Sequence, residues 1–262
     1  MTARQPFDPV VSIINELSKW AWHQVIDLIG AWMAQLVFRP LAWPSLVLQF
    51  YAISRDLAWS LVGILMVIAI LRSVWPQFSW LGSRFSVPFF LERLVAAGFM
   101  GLIGAWAVSA ALHINNAVVE SLTQGAASWQ PTAAPQGVLS PVVVLLVSGA
   151  MLLLILYLAL FYAVRAIELY LLTAAIPWFV LWWASRDDDV VLSTLGKELG
   201  VVIFIQSFHA GAFWLTTRLL TQSQLGITGF FMELALLWYM TKLPGQLRRL
   251  VGNSAGVIRL WR

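Results

Sequence analysis

From Leu139 to Ala184 the chain is apolar almost without interruption. A helix needs about 20 such residues to cross a bilayer, and this block is about twice that length. In hydrocarbon every backbone N–H and C=O must be satisfied within the protein, which leaves only helices and closed barrels. The windows are continuously apolar rather than alternating, so helix is selected over barrel. The whole composition agrees: 60% of the 262 residues are hydrophobic and 11% are charged, far from the balance of a water-soluble domain. The sequence predicts an all-α, polytopic membrane helix bundle.

Several chemistries are set aside by missing residue types and motifs. The chain has no cysteine, which removes disulfides and thiolate chemistry. It has no HExxH pair for zinc, no GxSxG elbow, and no glycine loop leading into a basic residue to cradle phosphate. The run Asp187–Asp189 lacks the spaced oxygen donors of a calcium loop and reads as a solvated turn. The expectation is a non-enzymatic protein with no catalytic residues, no metal and no cofactor. Its 15 Trp and 15 Phe gather near span ends, as in interfacial belts. The start, MTARQPFDPV, lacks the pattern of a cleaved signal peptide.

Residues 1–45 differ from the rest of the chain. Val10, Ile14, Leu17, Ala21, Val25, Leu28, Trp32 and Leu36 recur at helical spacing, with Ser12, Glu16, Lys19, His23 and Asp27 opposite. This pattern predicts an amphipathic helix lying in the membrane interface and ended by Pro40 and Pro44, with a sixth span as the alternative. Residues 46–247 hold about five spans, near 56–75, 94–116, from 142 onward, 200–220 and 229–243. Residues 248–262 carry Arg248, Arg249, Arg259 and Arg262 and read as a basic cytoplasmic tail.

Loop charge sets the expected orientation. Arg72, Arg84 and Arg93 place the first connection inside, while the uncharged 121–140 segment faces out. Arg186 and Lys197 place the next connection inside, uncharged 221–228 lies outside, and the Arg-rich end lies inside. The pattern predicts a multi-pass protein of the bacterial cytoplasmic membrane with the N-terminal helix outside. It is self-consistent only if 141–185 crosses an odd number of times.

Within the spans, Ala97, Gly101, Ala105 and Ser109 form a row of small residues suited to close helix packing or oligomer contact, and His113 continues the row. Gln206 and His209 share one face at mid-membrane depth, where polar groups need partners or water. They are candidates either for lining a passage or for bonding helix to helix. Arg218 and Glu233 lie at similar distances from one turn and are a candidate ion pair.

Charge enters the apolar block only in FYAVRAIELYLLTAAIPWFVLWW, residues 161–183. Arg165 and Glu168 sit one turn apart, a second candidate ion pair that lowers their joint insertion cost. Pro177 is expected to kink or stop the helix, so that 170–184 returns as an interfacial or re-entrant segment. The run from Arg165 through Glu168, Leu169 and Leu172 to Pro177, the helix opening GKELGVVIFIQSFHAGAFW at 196–214, and the order of elements resemble the TrbL-like polytopic inner-membrane components of bacterial type IV secretion and conjugation systems. The resemblance implies a homo-oligomeric channel or platform subunit passing DNA or protein. It would work with other secretion-system membrane subunits and a cytoplasmic ATPase, and it would contact lipids. The alternative is the membrane subunit of a small-molecule transporter or permease. That class usually shows repeated halves with matched broken helices, and no such repeat is visible.

Overall fold

In the computed structural model, the described residues are 8–74, 87–126, 141–185, 189–222 and 226–259. Among them the chain is helical apart from the connection at 37–44 and the turn at Asp189. The elements are α1 (Asp8–Leu36), α2 (Ser45–Val74), α3 (Val87–Ala126), α4 (Pro141–Ser185), α5 (Val190–Gln222) and α6 (Gly226–Arg259). Four of these, α2 to α5, are long and apolar enough to cross a membrane, and the protein is a helical membrane bundle. The stretch expected as a fifth span falls in α6, which is not in that group. Its apolar portion begins after Gly226 and soon meets Lys242, Arg248 and Arg249.

Two compact units share these helices. Unit 1 combines residues 1–40, 116–164 and 205–246, and unit 2 combines 41–115, 165–204 and 247–262. The division therefore cuts through α3, α4, α5 and α6.

In unit 1, Trp22, Val25 and Val37 of the N-terminal segment pack with Val119, Met151, Ile155, Leu158, Phe213, Leu237 and Met240. The N-terminal helix thus contributes to a core. Its face is rotated from the expected stripe: Ser18, Trp22 and Val25 are buried, whereas Val10, Ile13, Leu17 and Trp20 form an exposed apolar row. The charged positions Glu16, Lys19, His23 and Asp27 are exposed as expected.

In unit 2, Tyr51, Ala97, Ala105, Val108 and Leu112 pack with Leu169, Ile176, Val180, Leu195, Leu199 and Val202. The small-residue row is buried at Ala97, Gly101 and Ala105 and half-buried at Ser109. Beyond that point the buried line passes through Val108, Leu112 and Asn115, and His113 is exposed. Four-residue steps turn about 400° each on a helix of 3.6 residues per turn, so a row extended by fours drifts off the buried face.

Helix α4 is 45 residues long and runs unbroken through Pro177 to Ser185. The expected re-entrant segment is therefore replaced by a single helix of about 67 Å, more than twice the hydrocarbon thickness. Pro177 denies the Thr173 carbonyl, one turn back, its helical donor. One residue along, the Ala174 carbonyl accepts a bond from Ser54 Oγ of α2, and Trp178 Nε1 donates to that same Ser54 oxygen at 2.9 Å. Ser54 thus ties α2 to α4 beside the proline, at the carbonyl next to the one Pro177 frees.

Among the described glycines of unit 2, Gly104 is the most tightly packed. A Cβ there would meet Ile176 Cγ2 and Tyr51 Oη, each at 2.9 Å, and would push the Tyr51 hydroxyl off the Gly101 carbonyl, to which it donates at 2.6 Å. At Gly101 an added Cβ meets nothing nearer than Trp59 at 3.9 Å. Gly104→Ala is expected to cost about 1–3 kcal/mol, while Gly101→Ala costs under about 0.5 kcal/mol. Denaturation in detergent micelles, followed by tryptophan fluorescence, ranks the two. Equal losses would contradict this packing.

Candidate functional site

On helices that are apolar all round, the polar residues mark the face that turns inward. On α4 the buried line runs Met151, Ile155, Leu158, Tyr162, Arg165, Leu169, Thr173, Ile176, Val180 and Ala184. On α5 it runs Leu195, Leu199, Val202, Gln206, His209, Phe213 and Thr217. Steps of three and four keep each line on one face. The polar members lie where hydrocarbon would penalise them most if they pointed outward.

Within unit 1, His209 is 0% exposed. Its Nε2 lies 3.0 Å from the Met240 carbonyl of α6, and its Nδ1 lies 2.8 Å from Tyr162 Oη of α4. A carbonyl can only accept, so Nε2 carries a proton and donates to it, while Nδ1 is engaged with the tyrosine hydroxyl. Both ring nitrogens are used. Phe161 and Tyr162 meet it edge-on, with centroids 6.0 and 5.7 Å away. One turn earlier, Gln206 Nε2 donates to the carbonyls of Val37 and Arg39, each at 2.8 Å. These carbonyls lie in the connection just past α1. A buried amide on α5 therefore anchors the chain where it leaves the N-terminal helix.

Within unit 2, Arg165 is 2% exposed. Its Nε donates to the Val202 carbonyl at 2.7 Å and its Nη2 to the Ile203 carbonyl at 2.9 Å. Each α5 carbonyl has a second lone pair beyond its helical bond, so the guanidinium fork grips an intact helix. Glu168 accepts from Arg248 Nη2 at 2.6 Å, and Arg248 Nε reaches Glu198 at 3.0 Å. Both charges of the α4 shoulder are thus engaged over long range. The basic end is tied to α4 and α5 at its start and continues as helix to Arg259. A second polar cluster joins Arg93 to the Trp183 carbonyl and to Asp189, with Trp183 Nε1 also donating to Asp189 at 2.6 Å.

Arg218 is exposed, and its guanidinium lies 5.8 Å from the Trp214 ring centroid. Glu233 is buried on the inward face of α6 with Leu237 and Met240. Asp187 and Asp188 lie outside the described residues. Among the described residues, no three His, Asp or Glu side chains converge as metal ligands would. No family model, curated protein or solved structure matches the chain.

Arg165 and His209 therefore bridge helices, and Gln206 ties α5 to the connection after α1, each within its own unit. All three stand out in the sequence, whereas Tyr162, Ser54 and Gly104 do not. Tyr162 was visible in principle, since it shares the Leu158–Arg165–Leu169 face. Nothing local marks Ser54 or Gly104, whose roles depend on residues far along the chain.

Removing one partner of a buried bond strands the other at about 1–3 kcal/mol. Gln206→Ala is expected to speed amide exchange across residues 30–40 by about tenfold or more, read by hydrogen–deuterium exchange in micelles. His209→Phe and Tyr162→Phe, combined in a double-mutant cycle, should couple by about 1 kcal/mol. Additive losses would show that the two do not share a bond.

Proposed function

We propose that this chain is a rigid, multi-copy membrane subunit that builds an inner-membrane platform or conduit of the type IV secretion and conjugation kind, passing DNA or protein. The observation carrying this reading is that Tyr162, Arg165 and His209 are bonded to groups on other helices, and Gln206 to the connection that follows α1. A carrier that alternates access must break and remake contacts around a midplane site. A platform must keep them, and a bundle cemented by side-chain bonds to helix carbonyls suits the second task.

A passage in such an assembly lies between copies, since these polar side chains bond inside their own protomer. Contact surface is abundant: Leu57, Ile64 and Leu71 on α2, and Val95, Phe99, Leu102 and Trp106 on α3, are exposed. The sequence resemblance at Arg165–Pro177 and at 196–214 supplies the class of machine. Loop charge supplies the orientation, with the basic end cytoplasmic and the N-terminal helix outside.

Two measurements test the proposal. Native mass spectrometry from lipid nanodiscs is expected to show a closed oligomer of more than two copies. Deleting the chain should abolish conjugative or effector transfer, and a plasmid copy should restore it. A monomer that moves a small solute in liposomes would overturn the proposal in favour of a transporter. Because the chain has no native cysteine, a single cysteine at Gly125 reports the topology. Labelling from outside the cell is expected, and labelling only from the cytoplasm would reverse it.

A further inference from the structure

One exposed groove joins an apolar wall to an aromatic, basic end. It lies in unit 1, encloses about 870 Å³, and is lined by α4 and α6. At one end its walls are Leu153, Leu154, Phe231 and Leu234. At the C-terminal end of both lining segments the character changes, to Tyr157 on α4 and to Trp238, Thr241 and Lys242 on α6. His209, which touches both Tyr162 and Met240, brings those two C-terminal ends to one level.

Leu153, Tyr157, Phe231 and Trp238 are all exposed, so the groove opens outward along the bundle. The Lys242 ammonium sits 4.7 Å from the Trp238 ring centroid. Among the described residues no carboxylate pairs with it.

A slot that is apolar along its length and ends in Trp, Tyr and an unneutralised lysine has the polarity of one phospholipid. Tyrosine and tryptophan prefer the headgroup level, and a lysine there attracts anionic lipid. A phospholipid supplies in one molecule both the apolar chains for the wall and the phosphate that Lys242 calls for. We infer that the α4–α6 groove is a binding site for a single anionic phospholipid. Its acyl chains lie along Leu153, Leu154, Phe231 and Leu234, and its phosphate lies at Lys242, where the cation–π contact with Trp238 holds the ammonium in place.

The full chain in an uncharged detergent, offered equal amounts of phosphatidylglycerol and phosphatidylcholine with identical acyl chains, provides the test. Native mass spectrometry should show the phosphatidylglycerol adduct favoured about fivefold, the ratio that one lysine at a membrane surface supplies. Lys242→Gln removes one exposed charge and should bring that ratio to about one. Leu153→Trp, which fills the apolar wall, should weaken both adducts while leaving Lys242 in place. Equal binding of the two lipids by the unaltered chain would overturn the assignment. So would an undiminished preference in Lys242→Gln, which would place the anionic lipid elsewhere. A disulfide between copies through single cysteines at Leu153 and Phe231 would also overturn it, by showing a second copy in the groove.

Discussion

Within a bilayer, apolar side chains gain little by touching each other instead of lipid, so something other than the hydrophobic effect must hold helices in register. In this protein that task falls on side-chain donors aimed at the carbonyls of other elements. Arg165 grips two carbonyls of α5, Gln206 grips the connection after α1, and Ser54 reaches α4 beside Pro177. His209 joins three helices at once through its two ring nitrogens. Each donor would be costly if left facing lipid, and that cost is what makes these contacts specific. Close approach at Gly104 adds dispersion contacts that a larger side chain would prevent.

These contacts also explain why so much apolar surface remains uncovered. Isoleucines, leucines and tryptophans on α2, α3 and α4 stay exposed, as lipid-facing side chains of a membrane bundle do. A water-soluble protein with this surface would aggregate. Here the usual inside-out rule is inverted: the conspicuous side chains are the few buried polar ones, and they order the fold.

The parts of the structure legible in the sequence are those set by local pattern. Continuous apolarity dictates helices, length dictates spans, and the small row at Ala97, Gly101 and Ala105 marks a buried face. Position along a helix is harder to read than its existence. The row drawn through His113 drifts because steps of four overrun the helical repeat. The α1 stripe is ambiguous because three faces compete there, one packed, one charged and one apolar but exposed. Pro177 reads as a break since its local effect is to remove a donor; the donor beside it comes from Ser54, some 120 residues earlier in the chain. Gln206 plainly needs a partner, but the partner lies 169 residues away at Val37. Long-range pairings of this kind leave no trace in composition or periodicity.

The way the two compact units divide the chain has a consequence for biogenesis. Neither is a contiguous stretch: each unit draws on three segments, the last of which includes part of α6. A nascent chain emerging in order can insert α2, α3 and α4 one by one, because each is apolar enough to rest in lipid alone. It cannot close either core until α5 has delivered Gln206 and His209, and α6 has delivered Met240 and Arg248. Buried polar groups such as Arg165 must meanwhile wait in the bilayer without their α5 acceptors. Each core therefore closes only after α5 and α6 have followed α2 to α4 into the bilayer, and until then the buried polar side chains lack the partners that hold them.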